Sequence, residues 1–177
     1  MAGVKVTAVN IKRLWYGDPA KITADLTGSA LAVLLEDAKE VTNVHQDTWS
    51  IEEGEPSQDT YKNQLTGATY RMGAKQMGDV TFNFTIGQYD YATKADFVGG
   101  EGTDTSWKRA RGISVVEKFL VAQTEDDQYA VLPKANIVAR EAQTDSAVGL
   151  ACVATMLEPD ALEVAPEYWF DASVVKK

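Results

Sequence analysis

Residues 80 to 86, Val-Thr-Phe-Asn-Phe-Thr-Ile, alternate large apolar side chains with two threonines and an asparagine. A period of two puts Val80, Phe82, Phe84 and Ile86 on one side of an extended chain and Thr81, Asn83 and Thr85 on the other. The segment 79–88 therefore predicts a strand with one face in a core. The opposite face carries hydroxyls and an amide and no charge, which points to an assembly surface.

The rest of the chain carries further strand signals. Alternation predicts strands at 4–8, at 21–27 and across 41–52, where Gln46, Thr48, Ser50 and Glu52 share one side. Tyr16 to Pro19 reads as a turn. Leu31, Leu34, Leu35 and Ala38 recur at helical spacing and predict a helix over 29–40 with Ser29 as N-cap. A second, short helix follows Asp90, with Tyr91, Ala95 and Val98 on one face and Gly99 and Gly100 at its end. Strands are expected at 113–123, 128–133, 135–141 and 147–158, and an aromatic cluster closes the chain at 167–170. Residues 53 to 67 have neither period and are rich in turn formers. A loop that long inside a compact domain usually has a task, and Tyr61 and Leu65 supply apolar anchors within it.

These elements predict a mainly β (α+β) chain, an antiparallel β-sandwich or open barrel with one or two short packed helices, in a single domain over 1–177. The length suffices for a core without covalent staples. With 17 basic and 26 acidic side chains, the formal charge of -9 argues against a duplex-binding protein, since affinity for phosphates comes from Lys and Arg. The first 18 residues lack the apolar core of a signal peptide, and the longest apolar run, 30–35, is too short to span a bilayer, so folding in a cytoplasm is expected.

Catalytic and metal chemistry find little support. Cys152 is the only cysteine and His45 the only histidine, so neither a disulfide nor a histidine-cysteine metal shell can be built, and no nucleophile elbow accompanies His45. Cys152 reads as a buried thiol in an apolar strand. No catalytic, cofactor-binding or metal residue is assigned, and no cofactor is expected. Lys108, Arg109 and Arg111 form a basic cluster in an acidic chain, a candidate contact patch for an acidic neighbour.

Four stretches, 55–71 (EPSQDTYKNQLTGATYR), 84–100 (FTIGQYDYATKADFVGG), 132–140 (LPKANIVAR) and 167–170 (EYWF), resemble the tail tube proteins of siphophages and their prophages, in order and spacing from Thr27 onward. The resemblance implies a β-sandwich or barrel with a packed helix, related to contractile-tail and type VI secretion tubes. It implies a structural, non-enzymatic virion protein whose hexameric rings stack into a tube. DNA would pass through without sequence-specific binding, tape-measure and terminator proteins would be partners, and no membrane would be involved.

In that picture Thr81, Asn83, Thr85, Thr48 and Ser50 become candidate lumen-facing residues, because a weakly cationic bore does not grip phosphates. Pro56, Tyr61, Asn63 and Leu65 become a candidate inter-subunit loop. The alternatives are a tube subunit of a contractile injection or type VI secretion-like apparatus, or a carbohydrate-binding or hydrolytic β-sandwich. The last would use Trp15, Trp49 or Trp107 as platforms and the carboxylates between Glu36 and Asp59 as catalysts.

Overall fold

The computed structural model describes Gly3 and residues 5–176. In chain order the strands and helices are β1 (Arg13–Gly17), α1 (Gly28–Glu36), β2 (Lys39–Val41), β3 (Ser50–Glu53), β4 (Ser57–Lys62), β5 (Thr69–Gln76), β6 (Val80–Ile86), α2 (Tyr91–Val98), β7 (Glu101–Gly102), β8 (Trp107–Lys108), β9 (Glu117–Gln123), β10 (Gln128–Thr144), β11 (Ala147–Met156) and β12 (Tyr168–Asp171). The chain is mainly β with antiparallel pairing and two α-helices, and its main sheet is not closed into a barrel.

That sheet has eight strands in the order β2-β1-β9-β10-β11-β6-β3, with β12 added along β10. The long strand β10 is the hinge of the architecture. Its register with β9 shifts between Leu132 and Ala135, where Pro133 has no N–H to give to a ladder. Before the shift, residues 128–131 pair with β12; beyond it, residues 135–144 pair with β11. The two segments expected at 128–133 and 135–141 are thus one strand with a bulge.

Alternation assigns each half of the sheet its layers. Along β1, β9 and the first part of β10, Leu14, Tyr16, Leu120, Ala122, Ala130 and Leu132 enter a central core shared with Phe82, Phe84, Ile86, Leu150, Cys152 and Ala154 from β6 and β11. The intervening Trp15, Phe119, Val121 and Val131 point the other way, into a second core beneath α1. This half is buried on both faces, which is why its strands read as continuous apolar runs. The β11-β6-β3 half is buried on one face only.

Helix α1 starts one residue before the expected position, because the Thr27 hydroxyl, not Ser29, accepts from the Ala30 N–H at 3.2 Å. It ends at Glu36, and the chain turns directly into β2. Leu31 is fully buried, with Leu34, Leu35 and Ala38 half-buried beside it. Helix α2 begins at Asp90, whose carboxylate accepts from the Thr93 N–H at 2.7 Å, and ends at Gly99 with φ +82°, where a side chain would collide with Ser114. Its buried residues are Lys94 and Phe97; on the face shared by Tyr91, Ala95 and Val98, Val98 packs half-buried against the core and Tyr91 is exposed. The Phe97 ring packs 4.6 Å from Tyr16 and 6.0 Å from Phe84.

The cap carries a prediction. The Thr93 backbone bond, then the Thr93 hydroxyl, hold Asp90 below its ordinary pKa of 3.8. Its stabilising effect is therefore fully present above the unfolded value and lost as pH falls through the lower folded one. Asp90→Ala is expected to cost about 1 kcal/mol at neutral pH and almost nothing at the acid end, as measured by urea denaturation at several pH values.

Among the described residues two expected strands are absent and a third is broken in two. Of 4–8, Val4 lies outside the described residues; the N–H groups of Thr7, Ala8 and Val9 instead converge on the Asp126 carboxylate at 3.0–3.2 Å. With those donors engaged and Ala8 at φ +53°, no ladder forms. Residues 22–27 are irregular, with Ile22 and Leu26 buried as two anchors, and Gly17 extends β1 into the expected turn. The 41–52 strand is broken by a turn: Asp47 has φ +59°, and the Thr48 hydroxyl donates to the His45 carbonyl at 2.7 Å.

Candidate assembly interface

The uncovered face of the β10-β11-β6-β3 half is assembled row by row from the strand registers. Ser50, Asn83, Val153 and Val138 form one row; Glu52, Thr81, Thr155 and Asn136 form the next; Thr85, Ala151 and Arg140 form a third. Strand alternation dictates these rows, since each partner of an outward residue also points outward. Asn83 Nδ2 donates to Ser50 Oγ at 3.1 Å, and Ser50 Oγ donates to a Glu52 carboxylate oxygen at 3.0 Å. These bonds order the side chains within the plane of the sheet.

The candidate lumen residues do not all share that exposure. Thr81, Asn83 and Ser50 are half-buried in the middle of the face, and Thr85 is buried. Thr48 lies before β3, where its hydroxyl accepts from the Thr85 N–H at 3.0 Å. It therefore closes the end of β6 rather than extending β3. Val138, Val153 and Arg140 also belong to the face, and Val138 is 57% exposed. The sequence reading missed them, although Asn136, Val138 and Arg140 alternate with Ala135, Ile137 and Ala139 in the same way as the residues of β6.

Residues 53 to 67, expected as a loop, contribute a strand. β4 pairs with β5 in a two-stranded sheet of its own, with two register shifts that the alternation test could not see through. A turn joins them: Asn63 N–H donates to the Ala68 carbonyl, Gly67 N–H to the Asn63 carbonyl, and Leu65 N–H to Asn63 Oδ1, each at 2.8 Å. At the root, Gly54 N–H donates to the Asp79 carbonyl at 2.9 Å, and a side chain on Gly78 would overlap the Gly54 carbonyl.

This arm is exposed along almost its whole length. Every residue of β4 is exposed and only Gly73 of β5 is half-buried. Of the candidate inter-subunit residues, Pro56 stands at the base, Tyr61 stacks beneath Arg71 at 4.2 Å, Asn63 organises the turn and Leu65 at its tip is 94% exposed. Tyr70, Met72 and Met77 are further exposed apolar side chains there. An isolated hairpin is marginal in water, and these side chains are the kind that bury against a partner.

The basic cluster sits beside α2. Lys108 lies in β8, the Arg109 guanidinium is 5.0 Å from the Trp107 ring, and Arg111 is exposed. Trp107 Nε1 donates to the Gly99 carbonyl at 3.0 Å, and the Lys94 ammonium lies 4.1 Å from the indole ring. Lys94, buried, also donates to Glu141, and this pairing, with Arg109 as a weaker contributor, holds the Glu141 carboxyl below its ordinary range. Part of the cluster's charge is thus directed at its own strand β10.

The remaining chemical candidates have structural surroundings. Cys152 is 2% exposed, its thiol donates to the Leu150 carbonyl, and burial pushes its pKa up to about 12. His45 Nε2 is 3.0 Å from an Asp145 carboxylate oxygen. Trp15 is buried beneath α1, Trp49 packs edge-on against Phe82 at 5.3 Å, and Trp107 covers Lys94, so the three proposed sugar platforms lie apart in the fold. Among the described residues no helix is long and apolar enough to cross a membrane. No protein-family model matches the chain, and no curated protein matches it.

Proposed function

We propose that this chain is a structural subunit of a phage tail tube, assembling into hexameric rings that stack into a channel for DNA. The observation that carries the reading is the division of the sheet: one half is covered by α1, whereas the β11-β6-β3 half leaves a face of hydroxyls, amides and valines bare. In a ring that face lines the bore. Its Glu52 and Arg140 offer one charge of each sign, so a passing polyanion meets little that would hold it. The two ends of the sheet, β2 and β3, are edge strands, and the unpaired backbone groups along such edges are what copies would share when they close into a ring.

The exposed arm supplies a second contact, between neighbouring copies or between rings. Tape-measure and terminator proteins are the further partners of such a tube, and the virion tail is its location. Electron microscopy of the concentrated purified protein tests the reading. Rings or stacked tubes with a central channel are expected; a population that stays monomeric at every concentration overturns it.

A further inference from the structure

A surface that could receive the arm lies around the irregular segment 22–27. Two hollows of 310 and 450 Å³ flank the irregular segment 22–27 and share Ile22 and Thr23. One opens between that segment and the exposed side of α1; the other runs toward Pro133 and the 159–161 turn. A third hollow continues along residues 158–166, sharing Pro159 and Ala161 with the 310 Å³ hollow. Together they form one groove whose margins carry Val33, 58% exposed, and Leu162, 97% exposed.

The walls are fixed rather than loose. The Tyr168 hydroxyl accepts from the Leu26 N–H at 3.3 Å and the Ala165 N–H at 2.8 Å and donates to Asp25 at 2.6 Å, which stitches segment 22–27 to β12. Lys134 donates to Asp160 at 2.8 Å and pins the far margin. A groove held open in this way needs little reorganisation to accept a partner.

Charge indicates which partner. The arm, residues 57–76, carries Lys62, Arg71 and Lys75 against Asp59, a net +2 (3 − 1) within a chain of net charge -9. Along the groove, Asp25, Asp37, Glu158, Asp160 and Glu163 outnumber Lys21 and Lys134. A cationic apolar arm and an anionic apolar groove on the same molecule are complementary to one another in a second copy. Because they are different surfaces, each added copy leaves one arm and one groove free, so the contact propagates.

We infer that the groove around Ile22 is the docking site for the β4-β5 arm of a second copy of this chain, with Tyr70, Met72 and Leu65 as the apolar inserts. The inference rests on the tube reading only in treating the arm as an assembly element. At eight residues, β5 is roughly 27 Å long, enough to lie along the groove rather than touch it at a point.

The test replaces Tyr70 with the photocrosslinker p-benzoyl-phenylalanine, which keeps an aromatic ring at that position. An equal mixture of isotopically labelled and unlabelled protein is irradiated, and the linked peptides are read by mass spectrometry. Mixed-label crosslinks from residue 70 to 19–37 or 158–166 are expected. Val33→Lys, an exposed substitution that sets a like charge against the arm's Lys62, Arg71 and Lys75, should lower their yield on the order of tenfold, while circular dichroism stays unchanged.

Crosslinks in intact rings that fall elsewhere overturn the groove and leave the tube reading standing. Same-label links alone overturn docking by a second copy. Groove crosslinks in a preparation that forms only chains or dimers, never rings, uphold the groove and overturn the tube.

Discussion

Replacing Phe84 with alanine is expected to lower the unfolding free energy by about 3–5 kcal/mol in urea titrations, the usual cost of emptying a large aromatic site. The ring is 2% exposed, sits edge-on to Phe97 at 6.0 Å, and lies 6.4 Å from Trp49. Collapse into the vacancy is hindered because Phe97 is held from behind by Tyr16, whose hydroxyl donates to Asp96 at 3.0 Å. Burial followed by Asp96 raises the Tyr16 pKa, so this brace stays protonated through the neutral range. The informative control is Val153→Thr on the other side of the neighbouring strand, 41% exposed, where a change within about 0.5 kcal/mol is expected. Equal losses at the two positions would mean that the outer face is not bare in the folded protein.

The contrast between those two positions marks what could be read from the residues. A period of two in β6 identified both its buried and its outward side, because that strand has a single covered face and seven uninterrupted residues. Helix α2 was legible for a related reason: Asp90 and Gly99 mark its two ends chemically. Strands β9 and the first part of β10 are covered on both faces, so the pattern announced strands without revealing that a second core lies under α1, and β1, covered in the same way, was not read as a strand at all. The arm was illegible as structure because its two register shifts break alternation and no buried side chain imposes one. The 41–52 segment misled in the opposite sense. Its β-branched and aromatic residues favour a strand, but one hydroxyl bond from Thr48 to the His45 carbonyl diverts the backbone into a turn.

Legibility of the candidate interface divides along the same line. Thr81, Asn83 and Ser50 were recoverable from alternation alone, whereas Val138, Val153 and Arg140 join them only through the registers of β10 and β11. The groove beside α1 has no local signature at all. It arises from Ile22 and Leu26, two isolated apolar residues in an irregular segment, being drawn under a helix that begins after them. Surfaces made of one element's periodicity are written in the chain; surfaces made where elements meet are not.

Excising residues 57–76 and closing the gap with a few glycines is expected to leave the body folded and to abolish assembly. The arm pairs with nothing but itself, and its root is already closed by the Gly54–Asp79 backbone bond, so the sheet loses no ladder when the arm is removed. The thermal midpoint should stay within about 2–3 °C of the intact chain, the shift a surface-sized change of stability produces in a domain of this length. Association should fall far more. If Leu65, Tyr70 and Met72 each contribute about 1–2 kcal/mol at a contact, their joint loss weakens it by roughly a hundredfold to ten-thousandfold, enough to clear rings from micrographs at micromolar protein. Tyr61→Ser with Leu65→Ser should act in the same direction with a smaller effect. Rings that survive excision would reject the arm as an assembly element, and a body that unfolds without it would show that the arm packs on its own subunit. With an unchanged melting curve and only monomers in sedimentation, the large exposed side chains of β5 are explained by the neighbour they bind.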